Sequence, residues 1–537
     1  MKLLSHFPSD YLPYPTQISI LEQLEEAFKT HKFVILCAPC GSGKSPITKT
    51  LSNSAADPSE EFVRLIKSHD AFATSFSGDY THATECLVEP RFGAFALTIT
   101  KNLQDQYKEM FPDCAAMKGK SNYQCIVDDR FDTESAPCIF ASKVKDNCLS
   151  ENCCPYYNAR IDTLTNKLGV LNYSMFMALP KHVKYREYII CDEASELEEE
   201  LVKKFSVVLN YKAMKRLGFD INAPSGYKEF FQWLVGFTMN VTDEMNSHKR
   251  KISKKGKEAT VNERQKYIHL KTLSMTLTKV IDTWPDCEYV IETKPDGLSI
   301  VPLKVDNLSK EIFDYSNKVL LMSATIIDPT AFAKTLGITD FKYIEVESTF
   351  DPKKSPIYLS NKVRLSYKNL QQSLSWVAEQ VKKICELHNN DKGIIHTHTM
   401  AITEFLQRSL KGDRFLYREK GQTNEMIMVD HKESLDNTVL VSPSMTHGIN
   451  LYQDLSRFQI IIKAPFLPLS DKRIKRLFDE DSQWYTNRCL STIVQASGRS
   501  TRSKDDYCKT YIIDGTVYDL ILRNKIRLPS SFLKRLQ

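Results

Sequence analysis

The run Phe33-Val34-Ile35-Leu36-Cys37-Ala38-Pro39-Cys40-Gly41-Ser42-Gly43-Lys44-Ser45 decides how the rest of the chain is read. Its unbroken apolar start, too short for a helix, predicts a strand buried on both faces. The glycines let the backbone turn its N–H groups inward with no side chain in the way, and Pro46 suits the first turn of a following helix. A helix starting there points its positive end at the same spot, so strand, loop and helix together make a phosphate cradle. Gly41, Ser42, Gly43, Lys44 and Ser45 are its candidate nucleotide-binding residues. Lys44 would reach the β- and γ-phosphates of ATP, and Ser45 would ligate Mg2+.

Working outward, Phe95–Ile99, Tyr188–Cys191 and Lys318–Met322 predict further strands of the same sheet. Each runs into polar residues at its carboxyl end, the pattern of a parallel α/β sheet with its site at the strand ends. The Tyr188 strand delivers Asp192-Glu193-Ala194-Ser195. Asp192 is the expected second ligand of Mg2+, and Glu193 the expected base that orients the attacking water. Beyond Pro356, Gly393–Thr397, Thr438–Ser442, Phe458–Ile462 and Tyr507–Ile513 predict a second α/β domain of similar design. Near its end, Arg499 and Arg502 stand three apart, on one helix face, as candidate arginine fingers across a cleft. Residues 197 to 316 read as largely helical, with the basic run His248–Lys257 at a loop or helix end.

Five of the fourteen cysteines crowd between the two halves of the phosphate site: Cys125, Cys138, Cys148, Cys153 and Cys154. Four thiolates hold either a [4Fe-4S] cluster or zinc. The spacing Cys125-x12-Cys138-x9-Cys148-x5-Cys154 contains no paired knuckle, which argues against zinc, and Cys153 can replace Cys154 as fourth ligand. A small insertion poor in apolar residues gains from ligation the folding free energy that burial does not supply. Lys118, Lys120, Lys143 and Lys145, with Tyr123, Tyr156 and Tyr157, surround it with groups suited to phosphates and bases; packing around the cluster is the equal alternative for Tyr156 and Tyr157.

The bulk numbers agree with this picture. A chain of 537 residues exceeds one hydrophobic core and predicts two to four domains. Hydrophobic residues at 42% and charged residues at 26% fit a soluble globular protein, and a net charge of +6 leaves nucleic-acid binding to local patches. No apolar run approaches a membrane span, and no secretion signal is expected, so the cysteines are expected in a reducing compartment.

Taken in order, the motifs resemble the XPD/DinG family of iron–sulfur superfamily 2 helicases along nearly the whole chain. Pro15-Thr16-Gln17 is similar to the adenine-reading element, and Thr98–Gln106 to the motif that touches the DNA backbone. Cys154-Pro155-Tyr156-Tyr157 is similar to the last cluster cysteine with its tail, and Leu171-Asn172-Tyr173 to the segment before Asp192. Ser323-Ala324-Thr325, Thr446–Asn450, Lys463–Pro468 and Gln495–Arg502 resemble the later motifs. The resemblance implies Gln17 as adenine reader, Gly448 near the nucleotide, Gln495 with Arg499 and Arg502 in the catalytic set, and Cys154 as the preferred fourth ligand.

It also implies two RecA-like motor domains, the first carrying an iron–sulfur insertion and a helical arch-like insertion. The expected boundaries are 1–110, 166–198 and 317–350 for the first motor domain, 111–165 for the cluster insertion, 199–316 for the arch and 351–537 for the second motor domain. The implied activity is ATP-dependent 5′→3′ movement on single-stranded DNA with unwinding of forked DNA, as in DNA repair, by a monomeric motor in the cytoplasm, or in the nucleus if eukaryotic. A translocase or RNA helicase that remodels complexes without unwinding DNA is the alternative. Three departures stand out. Ser195 replaces the family's histidine, His447 and Asn450 replace acidic residues, and the stretch from Pro58 to Arg91 is longer than the pattern.

Overall fold

A computed structural model describes residues 2–39, 41–68, 92–348, 350–366, 368–443, 451, 453–498 and 506–537. The expected strands all form. The first domain is built on an all-parallel sheet in the order Lys342–Glu345, Phe33–Cys37, Lys318–Ser323, Tyr188–Cys191, Ala94–Thr98, Leu168–Asn172, Ala115–Ala116. Its strands alternate strictly between two cores. Ile35, Phe95, Leu97, Ile189, Val319 and Leu321 pack on one face, and Val34, Leu36, Ala96, Ile190, Leu320 and Met322 on the other. Each large side chain buried this way is worth about 1.5–3 kcal/mol, which is why the strands read as continuous apolar runs.

The second domain is a second all-parallel sheet, ordered Ile357–Val363, Lys509–Asp514, Phe458–Ile461, Gly393–His396, Val439–Ser442, Phe415–Tyr417. Two such sheets, with helices over their faces, are the two RecA-like layers that the motifs require.

The 197–316 region departs from the helical expectation. It holds a long helical hairpin, Tyr227–Lys255 and Val261–Thr283, but also an antiparallel sheet of Val207–Asn210, Gly297–Pro302 and Tyr289–Lys294. The turn at Pro295-Asp296-Gly297 between two β-rich runs drives that hairpin. The basic run closes the first long helix, where cations suit the helix C-terminus. The hairpin tip is fixed by a capping box between Thr260 and Glu263.

The cysteine-bearing segment docks on that tip. Arg264 is buried; it donates to the carbonyls of Ser135 and Gly256, both at 3.2 Å, and its guanidinium lies 4.5 Å from the Phe131 ring centre. Ser253 donates to the Phe140 carbonyl at 2.9 Å, and Phe140 meets Tyr267 edge to face.

Candidate functional site

The phosphate loop leaves the Phe33–Cys37 strand beside the Ser323 end of its neighbour, where Ala38 N–H donates to the Ser323 carbonyl at 2.9 Å. Gly41 and Gly43 both take left-handed backbone angles, at φ of 78° and 76°. Those angles aim successive N–H groups into one hollow before the Lys44–Ser54 helix begins. Lys44 Nζ rests 3.3 Å from the Ala38 carbonyl, and the buried Ser42 hydroxyl has no partner among the described residues. Gln17 is buried with both ends of its amide engaged. Its oxygen accepts from Tyr14 N–H at 2.8 Å and its nitrogen donates to the Gly43 carbonyl at 3.0 Å, so it latches the loop from behind.

Asp192 sits opposite. Tyr107 donates to it at 3.3 Å and also hydrogen-bonds Ser45, which brings the two expected Mg2+ ligands to one phenol. Burial, with Glu193 adjacent, pushes the Asp192 carboxyl up to about 6 despite the pull of Lys44. A buried carboxylate held this far from its ordinary range is a strong acceptor for a divalent cation. Glu193 follows at φ 51°, a left-handed angle that a non-glycine residue adopts at a cost of about 1–2 kcal/mol. It faces a cleft of about 300 Å3 shared with Pro39, Thr325, Gln495 and Arg535. Gln495 lies on the Ser482–Ser497 helix of the second domain, buried, with both amide atoms unpartnered among the described residues. Lys44, Ser45, Asp192 and Glu193 thus gather at the strand ends of the first sheet, and Glu193 shares its cleft with Gln495. Arg499, Arg502 and Gly448, with Cys40 and residues 69–91, lie outside the described residues.

On the second-domain side, the contacts that join the two domains come from residues outside the motifs. Glu198, in the acidic run after Asp192, is buried. One of its oxygens pairs with Arg473 at 2.9 Å and the other accepts from Trp484 Nε1 at 3.1 Å. Arg488 donates to the Ser195 carbonyl at 3.1 Å and to Glu199 at 2.7 Å. Ser491 donates to the Thr325 carbonyl at 3.1 Å. The Ser195 hydroxyl accepts from Ser323 at 3.0 Å.

In the cysteine segment, Cys125, Cys148 and Cys154 are buried, and Cys138 and Cys153 are half-exposed. Burial raises the Cys138 thiol, and Cys154 and Cys125 add to it; burial, then Cys153, pushes Cys148 up to about 12. The thiols therefore feel one another. Among the described residues, however, no three His, Cys, Asp or Glu side chains are spaced to hold a metal ion. Cys153 points its thiol at the Cys148 carbonyl, 3.5 Å away.

Two basic clusters lie along one arch helix. Burial, then Lys271 and Arg160, lowers Lys120 to about 8, and Lys120 lies 5.2 Å from the Tyr156 ring centre. Lys184 and Lys204 are each lowered to about 8 by burial, and Lys279 lowers both further. Lys271 and Lys279 are eight residues apart on the Val261–Thr283 helix, about 12 Å along its axis. Tyr156 is buried against Tyr123, which favours packing over base contact for that ring, whereas Tyr157 is half-exposed. No described helix is long and apolar enough to cross a membrane.

Two parallel-sheet domains, with a phosphate loop at the strand ends of the first and a helix of the second beside it, define the helicase fold. Residues 376–527 match the family model of the helicase C-terminal domain. The whole chain superposes on an XPD helicase with a TM-score of 0.63 at 15% identity, covering 98% of this chain and 99% of that one. It superposes on an XPD structure in the apo form at 0.58 and 14%, covering 95% and 99%, and on Xpd4 of S. tokodaii at 0.56 and 14%, covering 98% and 99%. No curated protein matches. The fold is therefore that of the XPD helicases, as the order of motifs implies.

Proposed function

We propose that this protein is an ATP-driven helicase that moves 5′→3′ on single-stranded DNA and unwinds forked duplex. The observation that carries the reading is the grouping of Lys44 and Glu193 around the buried Asp192, with Glu193 and Gln495 lining one cleft between the two sheets. Lys44 and the loop N–H groups hold the β- and γ-phosphates, with the buried Ser42 hydroxyl as an added donor. Ser45 and Asp192 would hold Mg2+, which would supply charge neutralisation at the transferring phosphoryl group. Glu193 accepts a hydrogen bond from the attacking water and aligns it. Arg499 and Arg502 complete the charge from the second domain.

The lysine clusters support a polyanion as second substrate. Lys120 and Lys204, lowered only to about 8, keep their positive charge at neutral pH and suit phosphate contacts. Cys125, Cys138, Cys148 and Cys154 are our candidate ligands of a [4Fe-4S] cluster, whose role is to rigidify the insertion that meets the arch tip. Cys154 is kept over Cys153 because the Cys153 thiol turns toward a carbonyl.

The test is ATP turnover with and without single-stranded DNA or RNA, together with strand displacement from 5′-tailed and 3′-tailed duplexes. DNA-stimulated turnover abolished by Lys44→Ala, with displacement only from the 5′ tail, is expected. Stimulation by RNA alone, or displacement only from a 3′ tail, overturns the substrate or the polarity respectively.

A further inference from the structure

The Ser482–Ser497 helix turns one face toward the hydrolytic residues. Arg488, Ser491 and Gln495 follow at intervals of three and four and therefore lie in line along it. The first two are engaged with the first domain and the third opens on the cleft. Arg488 binds the backbone of Ser195, two residues beyond Glu193, and the carboxylate of Glu199 one turn further on. Ser491 binds the carbonyl of Thr325, whose own N–H donates to the Ser323 hydroxyl that in turn donates to Ser195. The short Ser195 side chain is taken by Ser323, and the Gln495 amide has no described partner. Contact between the Asp192–Ser195 turn and the second domain thus runs through Arg488, two turns before Gln495.

We propose that Arg488 is the positioning residue that couples the state of the hydrolytic turn to the second motor domain. Its fork spans a main-chain carbonyl and a carboxylate on consecutive turns of the same segment. A displacement of the Glu193 backbone when phosphate is cleaved is thereby passed to the helix that ends next to the arginine segment. The half-buried guanidinium, flanked by Glu198, Glu199 and Glu196, stays charged throughout. Ser491 steadies the same helix against the Ser323-Ala324-Thr325 strand end.

This inference rests on the ATPase reading, and the test separates the two. In the full chain, Arg488→Met is expected to leave the KM for ATP unchanged. The DNA-stimulated kcat should fall about tenfold, with more ATP consumed per base pair displaced. Arg488→Lys, which keeps the charge but loses the fork, is expected between the two. A purely structural role would lower the melting temperature without splitting kcat from KM. Wild-type protein without ATPase sinks the parent reading. Active wild-type protein with an Arg488→Met variant equal to it in kcat and coupling overturns this one. If Arg488→Met does not fold, Arg488→Lys and Ser491→Ala carry the test, and unaltered coupling in both overturns it.

Discussion

Glu198 and Arg473, 275 residues apart, form a buried ion pair at 2.9 Å across the two motor domains. Both side chains are almost fully out of water, and Arg473 also donates to the Pro302 carbonyl at 2.9 Å. Replacing one partner strands the other charge in an apolar wall that includes Leu303, Leu477 and Trp484. Glu198→Ala is expected to cost about 3–5 kcal/mol, read by urea denaturation. The double variant Glu198→Leu with Arg473→Met should recover most of that loss. Equal stability of the single variant and the wild type refutes the assignment.

Gln17 latches the phosphate loop, and its amide is already consumed by Tyr14 and Gly43. Gln17→Ala is expected to raise the KM for ATP about tenfold through a loosened loop, a loss of about 1.4 kcal/mol. If the latch is its main work, GTP suffers equally. A loss confined to ATP would instead make Gln17 a reader of adenine, as the family resemblance implies.

Removing Lys271 and Lys279 tests the strand path. Every lysine that no longer neutralises a phosphate should flatten the salt dependence of single-stranded DNA affinity by about 0.7 in the log–log slope. The double alanine variant, followed by fluorescence anisotropy over a salt series, is expected to bind more weakly while keeping its DNA-independent ATP turnover. An unchanged slope places the strand elsewhere.

The cysteine segment gives a spectroscopic prediction. Protein purified without oxygen should carry a broad brown absorbance that Cys154→Ser abolishes and Cys153→Ser keeps. Loss of the metal should also free the arch tip, because Ser135 and Phe140, which hold Arg264 and Ser253, belong to the same segment. Protease sensitivity at Lys254 and Lys255 would then rise.

The second domain has an acid switch in its stability. His431 is buried, accepting at Nδ1 from Thr438 and donating from Nε2 to the Leu455 carbonyl at 2.8 Å. Burial pulls its imidazole below the ordinary range, Leu455 opposing and Lys392 assisting. The unfolded chain therefore binds this proton more readily. Stability is full above the unfolded value of about 6.5 and falls as pH drops below it, until the folded value is passed. The melting temperature of His431→Asn should fall less over that interval than that of the wild type.

Much of the fold is legible from residues alone, because buried parallel strands announce themselves. Phe33–Cys37 and Lys318–Ser323 need apolar side chains on both faces, and each ends in the polar residues of the site. Edge strands such as Lys342–Glu345 and Phe415–Tyr417 are partly exposed and carry no such signal. The arch sheet is hidden by the long helices that dominate its surroundings. Glu198 and Arg488 are invisible for a different reason. Glu198 looks like one of a run of surface acids, and its partners lie hundreds of residues away, so no local pattern distinguishes it.

Arg473 has one last consequence. It holds Pro302, in the middle strand of the arch sheet, with Nε–H and Glu198 with the neighbouring Nη2. The second domain is therefore not anchored to the first sheet alone. Through this one side chain the second domain touches both the acidic helix after Asp192 and the base of the arch, whose helical hairpin meets the cysteine segment at its tip.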